Sequence, residues 1–269
     1  GVQTCALPIW IVPHEMRFWS PRPMKDSHAS ARMLPATPTE AAAVGAVDYI
    51  LVAVKSWQLR DAIETMRPLV GRSTSIVPLL NGVEAPDRLA DAFGAERVLG
   101  GSCSVISMIA GPGHIRHAGA DPTIRFGELD HRRSDRTERL RNAFLRAEGV
   151  RAEVPEDIHV AMWDKFLVIA PWSGVGAVTR APIGVTRILP ETRALLEDAM
   201  AEIHRIAQAL RVAMERDAVR QAMAFLDSLP SEGTASMQRD IAAGRPSELD
   251  AQNGTVVRLG EKTGVATPV

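Results

Sequence analysis

Residues 47–82 read VDYILVAVKSWQLRDAIETMRPLVGRSTSIVPLLNG, and this stretch decides the fold class. Residues 49–54 form a continuous apolar run of strand length, which is typical of a parallel strand that is covered on both faces. Residues 57–70 carry apolar side chains three and four positions apart, which predicts a helix, and residues 75–80 form a second apolar run. A strand, a helix and another strand in this order predict a parallel sheet with a right-handed crossover.

The remaining sequence extends this pattern and then changes to helices alone. Up to Pro155 it predicts a helix through Leu89 and Phe93, a third strand at residues 98–99, two short strands around a turn at residues 111–113, a helix at residues 139–148 and a strand at residues 150–154. After Pro155 it predicts helices over residues 156–170, 190–210, 216–229 and about 247–259. We therefore expect an α/β domain in residues 40–154 and an all-helical domain in residues 155–269.

Composition excludes several classes of protein. The 31 basic and 32 acidic residues leave a net charge of −1, which gives no electrostatic case for a nucleic-acid or membrane-surface partner. Cys5 and Cys103 are the two cysteines, too few for a disulfide framework and consistent with a reducing, cytoplasmic location. The longest apolar runs are much shorter than a membrane-spanning helix requires.

We expect the sequence to be truncated at both ends. Residues 1–9, GVQTCALPI, resemble a translated sequencing adapter, and residues 13–40 hold five prolines with little apolar periodicity. We expect residues 1–39 to be an artefact or an irregular segment. The chain stops at Thr267-Pro268-Val269 without a closing element.

Lysine is rare in this sequence, because 27 of the 31 basic residues are arginine. One of the four lysines, Lys165, lies within the apolar arc formed by Ile158, Met162 and Phe166 on the helix predicted over residues 156–170. In one interpretation its stem packs and its ammonium group reaches solvent or an acid. In the other, the helix faces an interdomain cleft and a desolvated Lys165 with a lowered pKa acts as a general acid.

Three further polar residues lie in the predicted helical domain. Ser236 and Asp240 are four positions apart and share one helix face. Glu248 falls in the first turn of a helix whose N-cap signal is Ser247, where an acidic side chain is favoured by the helix dipole. On spacing alone, we interpret these residues as structural.

Two strand ends of the predicted sheet also carry polar residues. Asn81 and Gly82 follow the second strand, and Lys55 follows the first. Ligands of open α/β sheets bind outside the carboxyl ends of the strands, but Asn-Gly is also a common turn dipeptide.

Several motifs of other enzyme classes are missing. The seven histidines show no metal-ligand spacing, so we predict no metal site. The sequence contains no G-x-S-x-G, no G-x-x-x-x-G-K-[ST] and no G-x-G-x-x-G.

Taken together, the sequence resembles the ketopantoate reductase family. The matching stretches occur in the family's order over roughly residues 40–269: VDYILVAVKSWQ, VPLLNGV, RVLGG, GPGHIRHAG, MWDKF, SMQRDIAAGRPSELDAQNG and GVATP. The resemblance implies a Rossmann-type parallel sheet, here incomplete, followed by a helical domain like that of 6-phosphogluconate dehydrogenase. It also implies NADPH-dependent reduction of 2-dehydropantoate to (R)-pantoate in pantothenate biosynthesis, by a monomer or homodimer.

The resemblance assigns roles to individual residues. Lys165 matches the lysine that protonates the keto oxygen, and Glu248 matches the glutamate that accompanies this lysine and closes onto cofactor and substrate. Asn81 matches an asparagine that contacts both nicotinamide and substrate.

Three other residues receive binding roles from the same resemblance. Ser236 matches a substrate-binding serine, Asp240 a supporting acid and Lys55 a cofactor contact.

The sequence departs from the family pattern at three positions. Where asparagines follow the family's lysine at plus four, plus eight and plus eighteen, this chain has Ile169, Ser173 and Ile183. These changes leave two alternatives open: a related reductase of a less polar 2-keto acid, and a non-catalytic nucleotide-binding relative. Because the glycine fingerprint and the basic residue that reads the 2′-phosphate are missing, we expect the chain as written to bind NADPH poorly, and micromolar binding in a titration would contradict this.

Overall fold

The structure, a computed structural model, describes residues 9–12, 32–34, 38–111, 114–147 and 149–269. The chain divides into an α/β unit, Gly1–Leu80 with Ala85–Ile158, and a helical unit, Asn81–Glu84 with His159–Val269. We expected the boundary near Pro155 and placed Asn81 in the α/β domain. The structure places Asn81–Glu84 with the helices instead, because side chains of this segment bond to the helical unit, as described below.

The first sheet of the α/β unit contains the strand pair that the sequence predicts. Its strands are β1 (Ile9–Val12), β2 (Arg32–Leu34), β3 (Val47–Val52) and β4 (Val70–Pro78), in the order β2-β1-β3-β4. Strands β3 and β4 are parallel, whereas β1 is antiparallel to both of its neighbours. The short strands β1 and β2 differ from the irregular segment expected for residues 1–39, and residues 1–8, 13–31 and 35–37 lie outside the described residues.

The helix between β3 and β4 is shorter than the helix predicted over residues 57–70. Helix α2 spans Leu59–Met66, and a 3₁₀ turn at Arg67–Leu69 follows it. Pro68 explains this end, since proline lacks the amide hydrogen that a continuing helix requires. Helix α1 (Pro38–Val44) precedes β3, and α3 (Ala85–Phe93) follows β4. The core of this layer contains Ile50, Val52, Leu59, Met66, Ile76 and Leu89.

A second sheet follows, with strands β5 (Leu99–Gly111), β6 (His114–Glu128) and β7 (Arg151–Glu153) in that order. Strands β5 and β6 are antiparallel, and β6 and β7 are parallel. The prediction of short strands at this turn is wrong, because β5 has 13 residues and β6 has 15. A parallel bridge from Ile76 to Val98 links β4 to the residue before β5, and among the described residues this bridge is where the third predicted strand joins the first sheet.

Helix α4 (Asp135–Phe144) begins four residues earlier than predicted. The Oγ of Ser134 accepts a hydrogen bond from the amide of Thr137 at 3.3 Å, which is the geometry of an N-cap. Leu140 and Phe144 of this helix pack with Leu51 and Phe126 in a second core cluster.

The helical unit confirms the predicted change of architecture. Its helices are α5 (Ile158–Thr179), α6 (Ile183–Thr186), α7 (Pro190–Ala209), α8 (Ala218–Ser228), α9 (Ser236–Ala242), a π-helical segment (Asp250–Gly254) and α10 (Thr255–Thr263). Phe166, Leu196, Ile203 and Leu226 belong to its core. Within the part of the chain that the structure describes, no helix combines the length and apolarity needed to cross a membrane.

The buried carboxylate of Glu128 provides a test of the α/β unit. It accepts hydrogen bonds from Ser134 and from both Nε and Nη2 of Arg136, and its side chain is 3% exposed. Burial raises the pKa of Glu128, but the hydrogen bonds from Arg136 and Ser134 outweigh it and hold the pKa below its usual range. The carboxylate therefore stabilises the fold fully above its unfolded-state pKa of about 4.3, and this contribution is lost as the pH falls through the folded-state value.

We expect Glu128→Gln to lower the free energy of unfolding at neutral pH by about 2–4 kcal/mol, because the Arg136 guanidinium loses its buried partner. The difference from wild type should shrink below about pH 4 in urea titrations. Glu64→Gln is the control: its ion pair with Arg67 is exposed, so the free energy of unfolding should stay close to the wild-type value. A Glu128→Gln effect that is independent of pH would contradict the assignment.

Candidate active site

Glu248 is the most deeply buried acidic side chain among the predicted site residues, with 3% of its surface exposed. We predicted it in the first turn of a regular helix, but it precedes the π-helical segment Asp250–Gly254. In this region the amide of Gln252 donates to the carbonyl of Glu248, four residues back, and the amide of Gly254 donates to Leu249, five residues back. Irregular helical turns of this kind are frequent at functional sites.

Asn81 contacts Glu248 directly. Its Nδ2 donates a hydrogen bond to Oε2 of Glu248 at 2.9 Å, although the two residues are 167 positions apart. The structure thus brings together two residues that the family resemblance assigns to the site. The contact also gives the buried Glu248 carboxylate a hydrogen-bond donor, which a buried carboxylate requires.

The segment Asn81–Glu84 is held in place at both ends. Gly82 has φ +94°, and a Cβ at this position would lie 2.6 Å from the carbonyl oxygen of Ala251. Glu84 accepts hydrogen bonds from Thr255 Oγ1 at 2.9 Å and from Arg258 Nη2 at 2.7 Å. Asn81 therefore reaches Glu248 because its neighbours are attached to the π-helical segment and α10.

Arg258 connects Glu84 to the π-helical segment through Asp250. It binds Glu84 through Nε and Nη2 and binds Asp250 through Nη1 at 2.7 Å. The hydrogen bond to Glu84 raises the pKa of the guanidinium, and the bond to Asp250 raises it further against the effect of burial. Sequence reasoning missed Glu84 and Arg258, and no motif in the sequence distinguishes either one from an ordinary surface charge.

Lys165 is partly buried in the second turn of α5. Met162, Trp163 and Phe166 around it in sequence are all buried, and the rings of Trp163 and Phe166 meet edge-to-face at 5.8 Å. The predicted apolar setting of Lys165 is thus present in the structure.

Helix α9 carries Ser236 and Asp240, as the spacing suggests. Ser236 is its first residue and is partly buried. Asp240 accepts hydrogen bonds from Nε and Nη2 of Arg245 at 3.0 and 2.8 Å. This ion pair connects Asp240 to Arg245, which follows the end of α9.

Lys55 belongs to the α/β unit and follows the carboxyl end of β3. It is partly buried, its amide donates to Gln58 Oε1 at 3.1 Å, and its Nζ lies 5.7 Å from the centre of the Trp57 ring. A cation at the carboxyl end of a parallel strand is suited to an anionic ligand.

In the part of the chain that the structure describes, no three His, Cys, Asp or Glu side chains come together as a potential metal site.

Two family models match this chain over most of its length. The model described as "Ketopantoate reductase PanE/ApbA" matches residues 23–131, and the one described as "Ketopantoate reductase PanE/ApbA C terminal" matches residues 157–269. The chain belongs to the ketopantoate reductase family. Members of this family are oxidoreductases, mostly 2-dehydropantoate 2-reductases.

Individual proteins are also similar to this chain in sequence or in structure. A crystal structure of 2-dehydropantoate 2-reductase from Geobacter metallireducens is 31% identical with a TM-score of 0.78, covering 85% of this chain and 75% of that one. An uncharacterized oxidoreductase from Bacillus subtilis is 29% identical, and a 2-dehydropantoate 2-reductase from Mesorhizobium japonicum is 28% identical. Each of these two alignments covers 84% of this chain and 74% of the relative.

The three positions that depart from the ketopantoate reductase pattern have different surroundings. Ile183 is 1% exposed and belongs to the core of the helical unit, and Ile169 packs against the same core. Ser173 is fully buried, and its Oγ has no hydrogen-bond partner among the described residues. Packing accounts for the two isoleucines, whereas Ser173 remains a buried polar group.

The close approach of Gly82 to Ala251 gives a second testable prediction. We expect Gly82→Ala to lower the free energy of unfolding by about 2 kcal/mol or more, because a positive φ and a backbone clash add together. Gly264→Ala is the matched control, since Gly264 has φ +72° but nothing within 4 Å of a Cβ, and should cost about 1 kcal/mol. If thermal or urea unfolding shows that the two variants lose the same amount of stability, the contact with Ala251 does not constrain the residue at position 82.

Proposed function

We propose that this protein uses NADPH to reduce a 2-keto acid, with 2-dehydropantoate as the first candidate and (R)-pantoate as its product in pantothenate biosynthesis. Family membership supports the reaction class. The observation that carries the proposal is the hydrogen bond between Asn81 and Glu248, because it pairs two residues with expected catalytic and binding roles from distant parts of the sequence.

Lys165 is proposed as the general acid. It is partly buried in α5, with the buried Met162 and Phe166 on the same helix. As negative charge develops on the keto oxygen, a hydrogen bond from Nζ stabilises it and then delivers the proton.

Glu248 and Asn81 are proposed to act together. Glu248 accepts one Nδ2 hydrogen of Asn81, which fixes the amide plane of Asn81, and the Oδ1 and the second Nδ2 hydrogen of that amide are proposed to bind ligands. A fixed amide loses little freedom when it binds, which favours precise orientation of the reacting groups. Ser236 is proposed to bind substrate, with Asp240 as the supporting acid that keeps the end of α9 in place.

The residues present fit one part of a nicotinamide dinucleotide. Lys55 provides a cation at the carboxyl end of β3, where an anionic nucleotide would bind, and Asn81 provides an amide for the nicotinamide end. Bound NADPH supplies the hydride for the carbonyl carbon. The glycine-rich turn that cradles a diphosphate in other dinucleotide-binding proteins does not occur in these 269 residues.

Lys165→Ala tests whether the protein is an enzyme of this kind. We expect kcat with 2-dehydropantoate, measured as the loss of NADPH absorbance, to fall by about 10²- to 10⁴-fold. Lys262→Ala, at an exposed lysine on α10, is the control and should leave kcat unchanged. Wild-type turnover by Lys165→Ala would refute the general-acid role, whereas the absence of turnover in the wild-type protein would favour a non-catalytic nucleotide-binding relative.

A second candidate is a reductase of a less polar 2-keto acid. It is favoured by Ile169 and Ile183, which stand where the family has asparagines. The ratio of kcat/KM for 2-dehydropantoate to that for apolar 2-keto acids separates the two candidates.

We also propose a cytoplasmic location and a monomeric or homodimeric state for this protein. Light scattering distinguishes the monomer from the homodimer.

A further inference from the structure

Gln238 is buried in α9, two residues after Ser236, and both functional atoms of its side chain are bonded to the backbone. Oε1 accepts a hydrogen bond from the amide of Ala235 at 3.3 Å, and Nε2 donates to the carbonyl of Ala181 at 2.9 Å. Ala235 is the residue before α9, and Ala181 follows the end of α5. One side chain therefore connects the start of the helix that carries Ser236 to the end of the helix that carries Lys165.

The start of α9 depends on Gln238 because Ala235 has no polar side chain. Helices commonly begin at Ser, Thr, Asp or Asn, whose side chain accepts an amide hydrogen of the first turn. At α9 an alanine takes this place, and the glutamine three residues later reaches back to the alanine amide. Ala235 is 2% exposed, so water does not readily replace Gln238 as the partner of this amide.

Helix α5 leaves space for the Gln238 side chain at Gly176. A Cβ on Gly176 would lie 2.5 Å from Oε1 and 2.8 Å from Cδ of Gln238. The carbonyl group that Nε2 binds is also held in place. The amide of Ala181 donates to Oγ1 of Thr179 at 3.3 Å, and this Oγ1 donates to the carbonyl of Val175 at 2.7 Å. The amide of Gln238 therefore lies against α5, and displacing it would break both of its hydrogen bonds.

The loop that leads into α9 is bonded to the same stretch of chain after α5. The amide of Ile183 donates to the carbonyl of Gly233 at 2.9 Å, and the amide of Gly184 donates to the carbonyl of Ser231 at 2.9 Å. A Cβ on Gly184 would lie 2.5 Å from the Cβ of Ser231, so the two segments are in close contact. The loop is thus held in a fixed register up to the residue before Ser236.

We propose that Gln238 is a positioning residue for substrate binding: it holds Ser236 in register with α5, so that the Ser236 hydroxyl and the Lys165 ammonium group act on the same keto acid. This inference rests on the proposed function. Gln238 acts through Ser236, because its Oε1 and Nε2 are both bonded to the backbone. A hydroxyl on a fixed backbone loses little freedom when a ligand binds, which strengthens binding of the keto acid.

Gln238→Met tests the proposal, since methionine is similar in length but makes neither hydrogen bond. We expect KM for 2-dehydropantoate to rise about tenfold and kcat to stay within about twofold of wild type, because binding weakens equally in the ground and transition states. Thr192→Val is the matched control. Oγ1 of Thr192 also bonds two backbone carbonyls of the helical unit, so its loss should lower the unfolding temperature without changing KM. A wild-type KM for Gln238→Met, or an equal rise for Thr192→Val, would overturn the proposal.

A double-mutant cycle shows whether Gln238 acts through Ser236. Ser236→Ala removes the hydroxyl group that is positioned. Adding Gln238→Met to Ser236→Ala should therefore change KM by less than about twofold. If Gln238→Met raises KM as much in the Ser236→Ala protein as in wild type, the two residues act independently and the positioning role is wrong.

Gly176→Ala disturbs the same contact from α5 and leaves Gln238 itself unchanged. Its Cβ would displace the amide of Gln238, so we expect KM to rise as it does in Gln238→Met. A wild-type KM in a folded Gly176→Ala protein would contradict the proposal.

The proposal and the proposed function fail in different ways. If the wild-type protein reduces a 2-keto acid and Gln238→Met has the wild-type KM, the reductase assignment stands and the positioning role is wrong. If the wild-type protein reduces no 2-keto acid, the proposed function is wrong, and amide hydrogen exchange decides whether Gln238 orders the start of α9. Faster exchange of the Ala235 amide in Gln238→Met than in Thr192→Val supports this ordering, and equal exchange excludes it.

Discussion

The bonds from Glu84 to Thr255 and Arg258 are the constraint on which the candidate site depends. Glu84 is only three residues after Asn81, so fixing Glu84 against α10 limits where Asn81 can lie. Gly82 adds a second restriction, since its backbone passes close to the carbonyl of Ala251 in a conformation that favours glycine. With both restrictions in place, the amide of Asn81 meets the buried carboxylate of Glu248.

The buried polar groups of the helical unit fall into two kinds. Glu248 and Gln238 have partners within the protein, and their burial is compensated by hydrogen bonds. Ser173 Oγ and both functional atoms of Gln252 have none among the described residues. Uncompensated polar groups in an interior cost stability.

The sequence predicted the fold class and the helical unit well, because both depend on local periodicity. The parallel pair β3 and β4 and the long helix α5 follow from apolar runs and from spacings of three and four residues. The lengths of β5 and β6 were underestimated, since strand length in a hairpin is decided by cross-strand pairing. Asn81, which we expected in the α/β domain, is grouped with the helical unit, and its hydrogen-bond partner Glu248 is far away in sequence.

Residue types and their order by themselves determined the reaction class expected of this protein: a rare lysine within an apolar helix, polar residues after two parallel strands, and a set of motifs in the order of one family. Tertiary structure alone decided which polar residues meet. Asn81 and Glu248 are 167 positions apart in the sequence, yet the Nδ2 of Asn81 donates a hydrogen bond to the Oε2 of Glu248 at 2.9 Å. The physical reason is that burial and hydrogen bonding depend on contacts between distant segments, which local patterns do not encode.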